Sequence, residues 1–267
     1  MSTIISGESG SILLGPNFER YRLTEQPPFD LWIEDEEGYL GVKMSGFHGG
    51  SGGLERSLRC VFDRYDLFTP SGDKPQFLDL GSNIAVQVIW GAHHGWDSYG
   101  IEFSARAHQY GLHNIAKAVA AGFIDEQNAH VALGNFYPQT FARLERKRRR
   151  EMVSSDEYLD RDKVPEIGYI SHWQREINRF EKETTNENPY KKLGLDLGDV
   201  DLFYHYQVQP YELVMSFFTQ FAKTGAYLLF SRSLSDEPNA SDSVVCVEKC
   251  WTILGKHYVM DLWRKVE

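Results

Sequence analysis

The chain is predicted to form a doubly wound α/β fold: a mostly parallel, seven-stranded sheet with helices on both faces and an antiparallel C-terminal hairpin. Three observations carry this. Short apolar runs lack polar alternation, as strands buried on both faces do. Segments with apolar residues at helical spacing separate those runs, which is the rhythm of a parallel sheet. The last two runs flank Gly255-Lys256, a tight-turn dipeptide that joins antiparallel neighbours.

The elements follow in order. Gly52-Gly53 marks a boundary, after which Leu54, Leu58, Val61, Phe62 and Tyr65 lie at helical spacing. The turn Thr69-Pro-Ser-Gly-Asp-Lys-Pro75 precedes a first strand, Phe77-Leu-Asp-Leu80, that ends at Gly81. Residues 84–90 read as a helix and Tyr99-Gly-Ile-Glu-Phe103 as a second strand. Leu112, Ile115, Ala116 and Val119 stripe the next helix, with Gly122 at its C-cap. His130-Val-Ala-Leu133 is the third strand and Asp201-Leu-Phe-Tyr-His-Tyr206 the fourth. Pro210 opens a helix carrying Val214, Phe217, Phe218 and Phe221, Gly225 ends it, and Ala226-Tyr-Leu-Leu-Phe230 is the fifth strand. Trp251-Thr-Ile-Leu254 and Tyr258-Val-Met-Asp-Leu-Trp263 form the closing hairpin.

Two regions break the rhythm. Residues 1–53 are an acidic, glycine-punctuated leader whose Gly49–Gly53 stretch reads as a flexible flap or a linker. Residues 54–267 form the main domain, and residues 139–198 within it exceed the usual connection between neighbouring strands. That insertion holds a basic run, Arg146-Lys-Arg-Arg-Arg150, and a stripe of Ile170, Trp173, Ile177 and Phe180. Leaving the C-terminal end of a strand, it reads as a lid over the ligand crevice, or as helices that serve packing alone.

Composition bounds the function. The 267 residues are 42% hydrophobic and 25% charged, which excludes disordered and fibrous classes. With 28 basic and 38 acidic residues the net charge is −10, a field that disfavours whole-molecule binding to nucleic acid or anionic membranes. No apolar stretch reaches membrane-spanning length, and Met1-Ser-Thr-Ile-Ile-Ser has no signal-peptide character, so a cytoplasmic location is expected. Three cysteines fit a reducing compartment. Cys246 and Cys250 could be metal ligands only on a helix, yet they stand in a β-prone run, and His48, His93 and His94 have no carboxylate at ligand spacing, so no metal is expected.

Chemistry in such a sheet gathers at the C-terminal strand ends. Gly81 permits a tight turn and close approach of a ligand. Glu102, a lone carboxylate on an apolar strand, suits ribose hydroxyls and lies 23 positions beyond Asp79, near the ~20-residue spacing of nucleoside-binding units. Gly134-Asn-Phe-Tyr137 offers an amide and an aromatic ring for an adenine. A dinucleotide loop would need glycines where Asn83 and Val86 stand, which disfavours a nicotinamide-dependent oxidoreductase. Asp79 would repel a phosphate but attract an ammonium group. The pair therefore suits a cationic amino-acid end joined to a ribose, the shape and charge of S-adenosylmethionine.

These motifs resemble the class I S-adenosylmethionine-dependent methyltransferases. Leu78-Asp-Leu-Gly-Ser-Asn, Tyr99-Gly-Ile-Glu102, Gly134-Asn135 and Asp199-Val-Asp-Leu-Phe-Tyr-His-Tyr206 occur in that family's order and spacing, over residues 55–138 and 199–267. The first two motifs are also similar to one group of lysine methyltransferases, which reads as a shared core. The resemblance implies that Asp79, Gly81, Ser82 and Asn83 hold the methionine end of the cofactor. It places Glu102 at the ribose with Phe103 beside it, and Asn135 and Phe136 at the adenine. Asn83 and Ala85 stand where the family's loop has glycines.

His205, flanked by Tyr204 and Tyr206, is the candidate general base for a hydroxyl acceptor, or else a core histidine facing away from the two tyrosines. His172 lies in the insertion. The expected activity is methyl transfer to an oxygen or nitrogen of a small molecule, releasing S-adenosylhomocysteine. One alternative is an RNA or protein acceptor bound through the basic run, against which stands a solvated helix face flanked by Glu145 and Glu151. The other is a binding module that has lost catalysis.

Overall fold

Phe77, Leu78, Ile101, Leu202, Phe203, Leu228 and Leu229 are all fully buried, and this explains their unbroken apolar runs: each strand is covered on both faces. The computed structural model describes residues 3–7, 10–14, 61–62, 74–154, 188–206, 211–233, 243–253 and 258–267. Its strands are β1 (Thr3–Gly7), β2 (Gly10–Leu14), β3 (Gln76–Leu80), β4 (Asp97–Glu102) and β5 (Ala129–Leu133). They continue as β6 (Leu202–His205), β7 (Tyr227–Ser233), β8 (Val244–Ile253) and β9 (Tyr258–Lys265). The helices are α1 (Val86–His93), α2 (Ala105–Ala120), α3 (Gln139–Ser154), α4 (Pro189–Leu193) and α5 (Tyr211–Phe221).

One sheet runs in the order β1-β2-β8-β9-β7-β6-β3-β4-β5. The five strands β7-β6-β3-β4-β5 are parallel. β9 then pairs antiparallel between β7 and β8. All seven expected strands are present with the expected orientation. Two more join them: β1 and β2 form a hairpin, and Ile12 and Leu13 of β2 lie opposite Ile253 and Thr252 of β8. The leader thus supplies sheet edge. Its signal was two apolar runs, Thr3-Ile-Ile and Ile12-Leu-Leu, around a Gly7-Glu-Ser-Gly10 turn.

Boundaries shift modestly. α1 begins at Val86 rather than residue 84, because Ala85 takes the N-cap in a left-handed conformation. α2 starts seven residues before Leu112, set by Ser104, whose hydroxyl accepts the Ala107 N–H. Gly122, at φ +67°, ends that helix as expected. α4 went unread inside the insertion, although its Asn188 cap, Pro189 in the first turn and left-handed Gly194 are helix start and stop signals.

Strand alternation divides the core. On one face Phe77, Trp90, Trp96, Leu202, Tyr204, Leu229 and Leu262 pack together. Val61 and Phe62, the described part of the helix expected over residues 54–65, join this layer, and the Phe62 carbonyl accepts the Trp96 indole N–H at 3.2 Å. On the other face Leu78, Leu80, Phe203, Phe230 and Trp263 meet Phe217 and Phe218 of α5. Phe141 of α3 is buried in the same layer, 5.6 Å from Phe217. Near the start of the expected insertion, Phe141 is therefore part of the core. The stripe at residues 170–180, His172, His48, Gly49–Gly53 and the Gly255-Lys256 turn lie outside the described residues. Among the described residues no helix is long and apolar enough to cross a membrane.

Gly100 positions the site. A Cβ there would stand 2.6 Å from the Ser82 Cβ and 2.8 Å from Val88 Cγ2, so only glycine lets β4 slide beneath the loop between β3 and α1. Gly100→Ala is expected to lower stability by about 1–3 kcal/mol through overpacking, read as a lower urea midpoint at unchanged m-value. An unchanged midpoint would mean that the loop yields freely.

Candidate functional site

The chain moves outward from β3 in both directions, to β4 and β5 on one side and to β6 and β7 on the other. The connections therefore reverse between β3 and β6, and in sheets of this kind ligands bind outside the C-terminal strand ends at such a point. Asp79 and Tyr204 are opposite each other in that pair.

The loop after β3 is held tightly. The N–H groups of Gly81 and Ser82 both donate to the Ile101 carbonyl at 3.0 Å. Gly81 has φ +100° and open space where a Cβ would project, so this stretch of backbone is accessible to a ligand. Asn83 and Ala85 have φ +47° and +66°, the left-handed region that glycine tolerates best. The loop keeps a glycine-loop conformation without the glycines, at about 1–2 kcal/mol for Ala85. The Ala85 N–H donates to the Ser82 carbonyl at 2.8 Å, and α1 has no side-chain cap on its first turn.

Glu102 ties two loops together. One carboxylate oxygen accepts the Asn83 N–H at 2.9 Å, and the other accepts the Ser104 N–H at 2.7 Å. Burial raises its pKa, and the backbone donors at Ser104, Asn83 and Phe103 oppose that rise. Phe103, immediately beyond, is an exposed aromatic ring at the strand end.

Asp79 is the most unusual group here. Its side chain is buried, and one carboxylate oxygen has no hydrogen-bond partner. Burial first, and the Glu102 charge second, push its pKa well above the ordinary carboxylate value. A buried, unpartnered carboxylate oxygen is costly unless something supplies a donor or a cation. Tyr204 lies on the same face. Burial and then the Asp79 charge raise its phenol, while Gln87 of α1 opposes the shift. Gln87, buried in the first turn of α1, gave no signal in the sequence, since nothing there marks which helix residue faces β6.

The remaining expected site residues separate. Ser82 is buried with its side chain against Gly100, beneath the loop. Asn135 uses its carbonyl oxygen to accept the Tyr137 N–H at 2.9 Å. Phe136 is buried in the core, 4.3 Å from the Tyr137 ring and 5.5 Å from that of His205, so its face is not presented to a ligand. Tyr206 packs partly buried on the Tyr204 face. His205 occupies the opposite face, stacked on Phe230 at 5.9 Å. Its Nδ1 is 2.6 Å from the Leu80 carbonyl, to which it donates, leaving Nε2 as a buried acceptor without a partner. Burial lowers its pKa to about 4, so the ring is neutral near pH 7. His93 stacks on Phe123 at 3.8 Å, and Cys246 and Cys250 lie on β8.

No protein-family model and no curated protein matches the chain. Among solved structures it is similar to an RNA methyltransferase from Salinibacter ruber in complex with S-adenosyl-L-homocysteine, at 14% identity and TM-score 0.39 over 78% of this chain and 91% of that one. It is also similar to an rRNA methylase from Streptococcus thermophilus, at 8% identity and TM-score 0.40 over 76% and 95%. A third is a geranyl diphosphate methyltransferase in complex with GPP and sinefungin, at 11% identity and TM-score 0.36 over 67% and 44%. Likeness at this level carries no functional weight, because one α/β fold hosts many chemistries. By its own strand order the chain is a doubly wound α/β protein with an antiparallel C-terminal hairpin, and Asp79, Glu102 and Tyr204 lie buried near the C-terminal ends of β3, β4 and β6.

Proposed function

We propose that the protein is an S-adenosylmethionine-dependent methyltransferase acting on an oxygen or nitrogen acceptor. The observation that carries this reading is the Asp79 carboxylate oxygen, buried and unpartnered beneath a loop that turns through Gly81. An ammonium group in the crevice would supply the missing donor and offset both the burial and the Glu102 charge. Asn83 and the open backbone at Gly81 would flank the same end of the ligand. Glu102, clamped by two backbone donors, keeps lone pairs for ribose hydroxyls, and Phe103 offers an exposed face to a base. Asn135 and Phe136 are already engaged within the protein, so the adenine contact shifts toward Phe103 in this proposal.

S-adenosylmethionine supplies a sulfonium methyl group that is moved by in-line displacement. The protein's part is to align the acceptor with that methyl, which by itself removes much of the barrier. His205 at a pKa of about 4 is a poor match for abstracting a proton at neutral pH. Its Nε2, buried between Phe136 and Phe230 on the face opposite Asp79, supports the core-histidine reading of His205 instead. Tyr204 and Tyr206, on the other face, would shape the pocket beside Asp79.

Isothermal titration with S-adenosylmethionine and S-adenosylhomocysteine tests the reading. Micromolar binding of both is expected, and Glu102→Ala should weaken it by about 1.5–3 kcal/mol, the scale of a lost charged hydrogen bond. Absence of binding by either ligand would overturn the assignment in favour of a binding module without catalysis.

A further inference from the structure

A side chain makes the last link between β3 and β6. Backbone pairing of these two strands stops at Asp79 and Tyr204. Beyond that pair, the Leu80 carbonyl and the Gly81 N–H belong to one trans peptide and so point in opposite directions. The N–H donates to the Ile101 carbonyl of β4 at 3.0 Å, which leaves the Leu80 carbonyl facing β6. β6 ends there, at His205, and the imidazole takes the place of a backbone donor: Nδ1 donates to that carbonyl at 2.6 Å. One peptide plane is thus gripped from both sides, by a β4 carbonyl and by a β6 side chain.

The grip falls where the chain has least conformational preference of its own. Gly81 has φ +100° and no side chain to limit rotation, so the orientation of this peptide depends on its two hydrogen bonds. The choice of residue at 205 points the same way. Its ring is packed among apolar neighbours, 5.5 Å from the Phe136 ring and 5.9 Å from that of Phe230. Its Nε2 is buried with no hydrogen-bond partner. An apolar side chain would fill that space without stranding a nitrogen. What a histidine adds there is the Nδ1 donor, which satisfies a buried carbonyl that the ladder no longer reaches.

We propose that His205 is a positioning residue for the cofactor: through the Leu80–Gly81 peptide it fixes the turn that faces the methionine end of S-adenosylmethionine. It touches neither cofactor nor acceptor and acts only through backbone. That the turn carries a cofactor rests on the methyltransferase reading; the tie between β6 and the turn does not.

The test compares the full-length wild type with three variants. His205→Asn keeps an N–H donor on a short side chain. His205→Leu and His205→Phe remove the donor, and the second retains a ring beside Phe230. Calorimetric titration with S-adenosylhomocysteine is made at a temperature where circular dichroism shows each protein folded. The Leu and Phe variants should bind at least about tenfold more weakly than wild type, and the Asn variant within about threefold of it. Hydrogen exchange at the Gly81 and Ser82 amides, followed by NMR, should be at least about tenfold faster in the Leu and Phe variants, with exchange at Val131 of β5 unchanged. A histidine that only fills the core would shift melting temperatures and leave the affinity of folded protein alone, so equal affinities in all four proteins would overturn the proposal. An Asn variant as weak as the Leu variant would also overturn it, assigning the effect to ring shape. Exchange at Gly81 that no substitution alters would overturn the tie itself. Exchange that depends on the donor, in a wild type that binds neither S-adenosylhomocysteine nor S-adenosylmethionine, would retain the tie and remove the cofactor role together with the methyltransferase reading.

Discussion

Asp79→Asn is expected to raise the melting temperature of the free protein at neutral pH while reducing its affinity for S-adenosylmethionine by roughly tenfold to a hundredfold, the scale of a lost charge-assisted contact. Both effects have one cause. Burial and the Glu102 charge hold the Asp79 pKa well above its ordinary value. A carboxyl whose folded pKa is raised stabilises the fold fully below its unfolded pKa, and that contribution is lost as pH rises through the folded pKa. At neutral pH the native protein therefore carries an ionisation penalty that an amide does not. The advantage of the variant should shrink as the pH is lowered, since the wild type then protonates Asp79. Thermal unfolding of both proteins from neutral pH to about pH 4 measures this, and titration with the cofactor measures the loss. A variant that is less stable at every pH, with affinity intact, would show Asp79 to be a structural carboxylate with no ligand.

The second large effect comes from His205 and has the opposite sign. Its folded pKa is about 4 against an ordinary 6.5, so the neutral ring's contribution is complete above pH 6.5 and is lost as pH falls toward 4. Across that window the wild type should lose about 3 kcal/mol that a His205→Gln variant does not. The physical cause is plain. A second proton would have to go on Nε2, which is buried beside Phe136 and Phe230 with no acceptor to receive it. Urea unfolding of both proteins at several pH values isolates the difference from the Asp79 effect, which both share. Parallel acid profiles would show that His205 is solvated and that its ring moves out of the core.

These two residues also mark where the sequence stopped being legible. Asp79 and His205 each stand out as polar residues at the ends of apolar strands, and both do lie near the C-terminal ends of β3 and β6. Their surroundings were not readable. Strand alternation already turns His205 away from Tyr204, but only the register of β6 against β3 and β7 and the packing of the next layer set its neighbours there, Phe136 and Phe230. Phe136 shows the same limit: an aromatic residue after a strand suits a ligand or a core equally well, and the packing of α5 drew it inward. Glu145 is the clearest case. As a letter in a charge run it neutralises its neighbours, yet helical phase turns it toward Ser216 while Arg143 and Lys147 are exposed.

Apolar periodicity by itself determined the strands, the intervening helices, the parallel sheet and the closing hairpin, because burial on both faces demands unbroken apolar runs and a helix against a sheet demands a stripe. The sequence also shows Asp79 and Glu102 as carboxylates near the ends of apolar strands, and the structure buries both there. Only the tertiary structure decided that Ala85 and Asn83 adopt left-handed backbone without glycine, that Glu102 spends its oxygens on two loops, and that Asp79 keeps one oxygen unpaired. Those outcomes depend on contacts between strands and helices far apart in the chain, which no local pattern encodes.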